Sequence, residues 1–332
     1  MEREQRTIGF LIFPGFPMAC LTSIIEPLRA ANEISDFEAF AWQLISETDG
    51  PVLASADIAF DPQLSLDAVS DLDHLILLSP PSPIFSNSRS TGHMRSRARH
   101  GTQLGAASGG VFPLVAFGAV FGEKVSVHWY YEAAFAAIFP DHAASDQVLE
   151  IGPKVITASG AAAAFNLALH LIETQLGSAM ATEVACWFQH PMMRKANVQQ
   201  VLPRHDVAGQ GAQLPDHVSR AIALFLVDMS EPLQIGTVAD SLGISPRQLE
   251  RTFKKATGFS PKHYYRKMHM DAVRQIVTYT NDGLADVAAS VGYPSIQALN
   301  KHYQAAFGVT SVEDRTRVNL YRVDGNWLVP SI

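Results

Sequence analysis

Residues 238–258, VADSLGISPRQLERTFKKATG, return about fifty residues later as 287–308, VAASVGYPSIQALNKHYQAAFG. Val238, Ala239, Ser241 and Gly243 match Val287, Ala288, Ser290 and Gly292 at an offset of 49, and Phe253 and Gly258 match Tyr303 and Gly308 at an offset of 50. Each copy reads as a short helix, a glycine turn and a longer helix, which is the pattern of a helix-turn-helix. The spacing predicts supporting helices over 235–242 and 284–291 and outer helices over 246–256 and 295–306. Ser245 is placed to cap the first outer helix, with Pro246 at its first position. Leu249 and Phe253 form its apolar face, as Leu299 and Tyr303 do in the second copy.

The other faces are polar. The first copy offers Ser245, Arg247, Gln248, Arg251, Lys254 and Lys255; the second offers Ser295, Gln297, Asn300, Lys301 and Gln304. Arginine suits guanine edges and phosphates, glutamine and asparagine suit adenine, and lysine supplies phosphate charge. One such helix alone is usually only a solvated face; two repeated units suit a protein that reads two neighbouring major grooves of double-stranded DNA.

Charge agrees once it is divided. The chain of 332 residues has a net charge of −7. Residues 217–332 hold 13 Lys/Arg against 10 Asp/Glu, whereas residues 1–216 hold 12 against 22. Basic residues concentrate over 245–275, and local positive potential, not whole-chain charge, sets phosphate affinity. With 47% hydrophobic and 17% charged residues the composition is that of a globular protein. No apolar run reaches the ~18 residues of a membrane helix, and the N-terminus is a poor secretory signal. A cytoplasmic protein with no membrane partner is expected. Cys20 and Cys186 are too few for a disulfide framework and lack metal-ligand spacing, and no cofactor or metal is expected.

Outside the repeat, strand-like runs at 7–13, 40–46, 74–79, 124–127 and 155–158 alternate with helical patterns at 20–34, 108–118, 130–138 and 161–176. The fold class expected is α/β, a flavodoxin-like layered domain with a mostly parallel sheet, followed by an all-α domain with two helix-turn-helix units. Boundaries fall at 1–188 for the α/β domain, 189–216 for a proline- and glycine-containing linker, 217–318 for the helical domain and 319–332 for a tail.

The residues 242–261, LGISPRQLERTFKKATGFSP, and 284–308, LADVAASVGYPSIQALNKHYQAAFG, resemble the DNA-binding domain of the AraC/XylS family of transcription regulators, across 217–315. That resemblance implies seven helices, with a long helix near 262–279 joining the two units. One departure is visible: Val309-Thr310-Ser311 follows Gly308 where the family usually has Ser-Pro. The second outer face carries only Lys301 as a base, so less affinity is expected from it.

Segment 100–118, HGTQLGAASGGVFPLVAFG, resembles the nucleophile elbow of the class I glutamine amidotransferase-like superfamily, PfpI-type proteases included. The match puts Ala107 at the nucleophile position, His128 at the family's histidine, Ser23 where an acid is frequent and Pro80-Pro81 where a glycine pair supplies N–H donors. Ser108 with His128 is the remaining nucleophile–base pair, one residue past the elbow and without Gly-x-Ser-x-Gly spacing. No catalytic residue is therefore assigned; the rival reading is an amidase or hydrolase with an accessory DNA-binding domain. The resemblance implies a cleft at a helix N-terminus, suited to a carboxylate, walled by Ala107, Ser108, His128, Trp129, Phe16 and Ser159. Trp129 reads equally as pocket wall or core, and Phe13 as core. The order of the halves is similar to GlxA-type regulators. It implies a homodimer that answers a small-molecule effector of the amino acid or amine class and, as an activator, contacts RNA polymerase. Segment 20–32 looks like members that respond to arginine, carnitine or glycine betaine.

Overall fold

The computed structural model describes residues 5–35, 37–81, 85, 87–190, 198–200, 214–225, 234–280 and 282–320. The chain forms two compact units, one built on residues up to Gln200 and the other on Val201–Asn319. The first contains, in order, β1 (Arg6–Ile12), α1 (Met18–Ser35), β2 (Phe40–Ser46), β3 (Val52–Leu53), β4 (Ala59–Phe60), β5 (Leu64–Ser65), β6 (His74–Ser79), α2 (Ser88–Arg99), β7 (Gln103–Ser108), α3 (Val111–Ala116), β8 (Val125–Ser126), α4 (Glu132–Ile138), β9 (Ala144–Ser145), β10 (Leu149–Ile151), β11 (Val155–Ala158), α5 (Ala161–Leu176) and α6 (Ser178–Trp187).

Seven strands form one sheet in the order β10-β11-β7-β6-β1-β2-β5. Every pairing is parallel except β10 with β11. Parallel strands joined by crossover helices are buried on both faces, which is why they read as continuous apolar runs. Ile8, Phe10, Ile12, Ile76 and Leu78 pack in one core with α1, α5 and α6. Leu11, Leu75, Leu77 and Ala106, of opposite parity, are buried as completely. Two elements lie where no periodic signal stood. α2 buries only Ser90 and Met94. β7, QLGAAS, is built of small residues because a side chain at Gly105 would press on Ile76 and Ile156 from both neighbouring strands.

The second unit contains α7 (Asp216–Phe225), α8 (Ile235–Ser241), α9 (Pro246–Thr257), α10 (Pro261–Tyr279), α11 (Leu284–Ser290), α12 (Ile296–Phe307) and α13 (Ser311–Leu320). Among the described residues these are seven helices, the number the resemblance implies. Within the span expected to be linker, Val198–Gln200 hydrogen-bond to the α/β unit: the Val148 N–H donates to the Val198 carbonyl at 2.8 Å and the Gln200 N–H to the Asp146 carbonyl at 2.8 Å. Residues 191–197 and 201–213 of that span, and the tail beyond Leu320, lie outside the described residues. Among the described residues no helix is long and apolar enough to cross a membrane.

Candidate DNA-reading surface and elbow cleft

Each helix-turn-helix is held by the same local devices. Gly243 and Gly292 take φ of +69° and +78° at the two turns, a region open to glycine at little cost. Ser245 accepts the Gln248 N–H at 3.2 Å, and Ser295 accepts the Ala298 N–H at 3.2 Å, capping α9 and α12. Gly258 and Gly308 close these helices in the left-handed conformation. Leu249 and Phe253 are fully buried with Val218, Phe225 and Tyr264; Leu299 and Tyr303 are fully buried in the second unit.

With those faces turned inward, the polar faces are turned out. Arg247, Gln248, Arg251, Lys254 and Lys255 are all exposed, as are Ser245 and Ser295. Arg247, Arg251 and Lys254 follow i, i+4, i+7 and form one stripe. Fifty residues on, Gln297, Lys301 and Gln304 repeat that stripe at equivalent positions of α12, all exposed. The two stripes are geometrically matched and chemically unequal: three bases in the first, one base and two amides in the second.

Asn300 departs from the expectation. It is half-buried, and its Oδ1 accepts both the Ser311 N–H at 2.8 Å and the Ser311 hydroxyl at 2.7 Å. The first unit explains why. There Ser260 caps α10 and Pro261, which has no N–H, takes the first helical position. Ser311 occupies that position in α13 and brings an N–H into a fully buried site, so an acceptor is required. Asn300 supplies it. Thr310 and Glu313 complete a capping box, the Glu313 N–H donating to Thr310 Oγ1 at 3.2 Å and Glu313 Oε2 accepting the Thr310 N–H at 2.7 Å.

Arg274 also leaves the count of outward bases. It donates to both oxygens of the buried Asp314, at 2.7 and 3.1 Å, and lies over the Phe307 ring at 4.6 Å. Tyr303 donates its hydroxyl to the same carboxylate at 2.8 Å, so α10, α12 and α13 share one ionic centre.

In the α/β unit the turn after β7 corrects the sequence assignment. Ala107 is an ordinary buried strand residue in register with Leu78 and Ala158. The strained residue is Ser108, with φ of +54°. The reason lies after it: a Cβ at Gly109 would collide with the backbone of Ser79–Pro81, and one at Gly110 with the Leu77 carbonyl. These contacts turn the chain at Ser108. α3, the helix that follows, has only six residues, and Pro81 has no N–H to offer an oxyanion.

Ser108 and Ser159 stand at the carboxyl ends of neighbouring strands, with His128 beside the residue after Ser159. Ser108 ends β7, Ser159 follows the neighbouring β11, and the His128 ring lies beside Gly160, where a Cβ would stand 3.3 Å from Cδ2 and 3.9 Å from Nε2. His128 Nδ1 accepts the Tyr130 N–H at 3.2 Å. Burial pushes its pKa down to about 4, so the ring is neutral near pH 7 and its one proton sits on Nε2. The next residue, half-buried Trp129, donates its backbone N–H to Gln200 Oε1 at 2.9 Å, while Gln200 Nε2 donates to the Val127 carbonyl at 2.7 Å. Gln200 thus braces the His128–Trp129 corner from 71 residues away, and only its side-chain chemistry could have hinted at it. Phe16 does not join this cleft: it is fully buried, edge-on to Phe60 at 5.2 Å, as part of the core. Phe13 is likewise buried, edge-on to Phe85.

A helix-turn-helix domain family matches residues 238–317, the span that holds α9 to α12. The chain is 29% identical over 315 residues to the HTH-type transcriptional regulator GbdR of Pseudomonas aeruginosa, covering 95% of this chain and 85% of that protein. It is 27% identical over 321 residues to ArgR of the same species (96% and 95%), and 23% identical over 323 residues to GlxA of Rhizobium meliloti (95% and 97%). The α/β fold is similar to a solved transcriptional regulator protein of Vibrio parahaemolyticus, at 20% identity and a TM-score of 0.51, covering 55% of this chain and 99% of that one. A double helix-turn-helix with matched outer stripes, following an elbow-bearing α/β unit in the chain and aligned end to end with such relatives, makes this chain a DNA-binding transcription regulator similar to the GlxA-type regulators of the AraC family.

Proposed function

We propose that the chain is a ligand-responsive homodimer, acting as an activator that contacts RNA polymerase, with its effector bound at the carboxyl edge of the sheet. The observation that carries the reading is the fixed polarity of His128. Its Nδ1 lone pair is occupied by a backbone N–H and its proton is held at Nε2. The ring therefore offers a donor to a ligand carboxylate. Ser108, Ser159 and the half-buried Trp129 supply hydroxyls and an aromatic surface beside it, a combination suited to an amino acid or a related amine.

The same polarity argues against catalysis. A general base needs a free ring nitrogen aimed at the nucleophile, and among the described residues no carboxylate hydrogen-bonds to His128 to orient it otherwise. Ser108 carries its hydroxyl at the strained turn, and Pro81 contributes no donor to an oxyanion. On DNA, Arg247, Gln248 and Arg251 are assigned to base edges and phosphates of one major groove, Lys254 and Lys255 to phosphates, and Gln297, Lys301 and Gln304 to the next groove, with Ser245 and Ser295 near the backbone. The effector acts only through a difference in affinity between two dimer geometries.

The test is fluorescence anisotropy of the full chain on DNA from upstream of its neighbouring genes, with excess nonspecific competitor and a panel of amino acids and quaternary amines. A competitor-resistant complex altered by one compound supports the proposal. DNA binding indifferent to every compound refutes the effector model, and turnover of any amide that is lost in Ser108→Ala restores the enzyme reading.

A further inference from the structure

The amino-terminal edge of the same sheet, opposite the elbow, holds a cavity of about 940 Å³ between the end of α2, the starts of β7 and β11, and the turn after α3. Its walls combine two chemistries. Leu104, Phe117 and Phe121 provide an apolar surface, and Phe121 is 81% exposed, the most exposed large hydrophobic side chain among the described residues. Arg95, Arg99 and Lys154 provide positive charge, and among the described residues no Asp or Glu lines the cavity.

The cations are placed by the backbone. The Lys154 carbonyl accepts the Leu104 N–H at 3.0 Å, fixing the start of β11 beside the start of β7. The Thr102 N–H donates to the Arg97 carbonyl at 3.2 Å, which holds the end of α2 against the same corner. Arg95 donates its Nε to the Phe117 carbonyl at 3.0 Å, joining the basic wall to the aromatic one. Neither the Arg99 guanidinium nor the Lys154 ammonium has a hydrogen bond or ion pair to any described residue. The concentration of charge is unusual for this half of the chain. Residues 1–216 hold 12 Lys/Arg against 22 Asp/Glu, yet α2 carries four arginines and no acid. Arg97 is used internally, on the Val69 and Ser70 carbonyls; Arg95 and Arg99 face the cavity.

We propose that this cavity is a second small-molecule site, for an organic acid with an aromatic or branched aliphatic body. The carboxylate pairs with Arg99 and Lys154, and the body lies on Phe117, Phe121 and Leu104. Its volume lies in the range of drug-sized ligand pockets, and an apolar cavity with a few convergent charges is the usual construction of such a site. The cation-lined apolar cavity then lies at the edge of the sheet opposite the proposed effector site.

The test is isothermal titration of the full-length protein with 2-naphthoate and its neutral counterpart 2-naphthamide. One saturable site is expected for the acid, with the amide at least tenfold weaker. The Arg99→Gln/Lys154→Gln variant is expected to bind the two compounds alike, and Phe121→Ser to weaken both. Three results overturn the proposal: no saturable binding, equal affinity for acid and amide in the unaltered protein, or an acid preference that survives the double substitution. Binding that follows Trp129→Ala instead places the acid in the elbow cleft and also overturns it. Since these outcomes do not involve the amine effector, failure here leaves the proposed function standing.

Discussion

Asn300→Ala separates two roles that the sequence leaves superimposed. If Asn300 is a structural cap, its removal strands the Ser311 N–H and hydroxyl, whose bonds to Oδ1 are 2.8 and 2.7 Å long at a fully buried site. An unsatisfied buried polar group costs about 1–3 kcal/mol; the smaller alanine leaves room for water at the half-exposed side, so about 2 kcal/mol is expected. Amides of α12 and α13 should then exchange with solvent deuterium ~30-fold faster, at 1.36 kcal/mol per tenfold. The decisive arm is a cycle with Ser311→Pro, which installs the arrangement of Ser260-Pro261 in the first unit. With no N–H left to satisfy, Asn300→Ala in that background should cost less than ~0.5 kcal/mol, a coupling typical of groups in direct contact. Hydrogen exchange read by mass spectrometry on the full chain measures all four corners. The reasoning fails if Asn300→Ala leaves exchange unchanged but lowers affinity for the preferred operator alone, because Asn300 would then be a base reader.

The neighbouring ionic centre predicts a larger effect: Asp314→Ala leaves Arg274 and the Tyr303 hydroxyl without their shared acceptor and should destabilise the helical unit by about 3 kcal/mol, read by thermal melting at 222 nm. On DNA, Arg251→Ala should cost about 1–3 kcal/mol on the preferred operator and little elsewhere, whereas Lys255→Ala should weaken all sequences alike and flatten the log–log salt slope by about 0.9. Burial holds the folded-state pKa of His128 at about 4, below its ordinary value of 6.5, so the unfolded chain binds the proton first as pH falls. Stability from this group is therefore complete above pH 6.5 and lost between there and pH 4, by up to about 3 kcal/mol; His128→Gln should flatten that part of the pH–stability curve in urea titrations.

What the sequence carried and what it withheld divide along physical lines. β1, β6 and β11 were readable because strands buried on both faces are apolar nearly throughout, and β2, partly buried along its middle, was readable from its remaining apolar residues. The two outer helices were readable because capping serines, a helical proline and turn glycines are local requirements, met by residues a few positions apart. β7 was not readable as a strand, since its small residues answer to Ile76 and Ile156 on other strands. α2 was missed because only Ser90 and Met94 turn inward. The placement of the elbow on Ala107 failed by one residue for a similar reason: which residue takes the positive φ is decided by Gly109 and Gly110 against β6 and its following loop. Phe16 was assigned to the cleft as an aromatic able to stack on a cationic ligand group, but its ring is claimed by the core through Phe60. The role of Asn300 did leave a trace. A serine where the first unit has a proline means an extra N–H, and an extra buried N–H needs an acceptor.

The retained elbow is explained without retained chemistry. A non-glycine residue at φ of +54° is strained by about 1–2 kcal/mol, and such strain at a tight turn invites a catalytic reading. Here the turn is over-determined by packing: the two glycines that follow Ser108 have no room for a Cβ against the backbone of residues 77–81, whatever occupies position 108. The geometry therefore says nothing about reactivity, and the question passes to the proton map beside it. For His128 to become a base toward Ser108, its proton would have to leave Nε2 for Nδ1. That shift would place two N–H groups face to face at the half-buried Tyr130 contact, at the cost of the hydrogen bond now made there. On the proposed reading the cleft keeps the shape of an enzyme's turn and presents a fixed donor in place of a base, which suits it to hold a carboxylate and not to transform one.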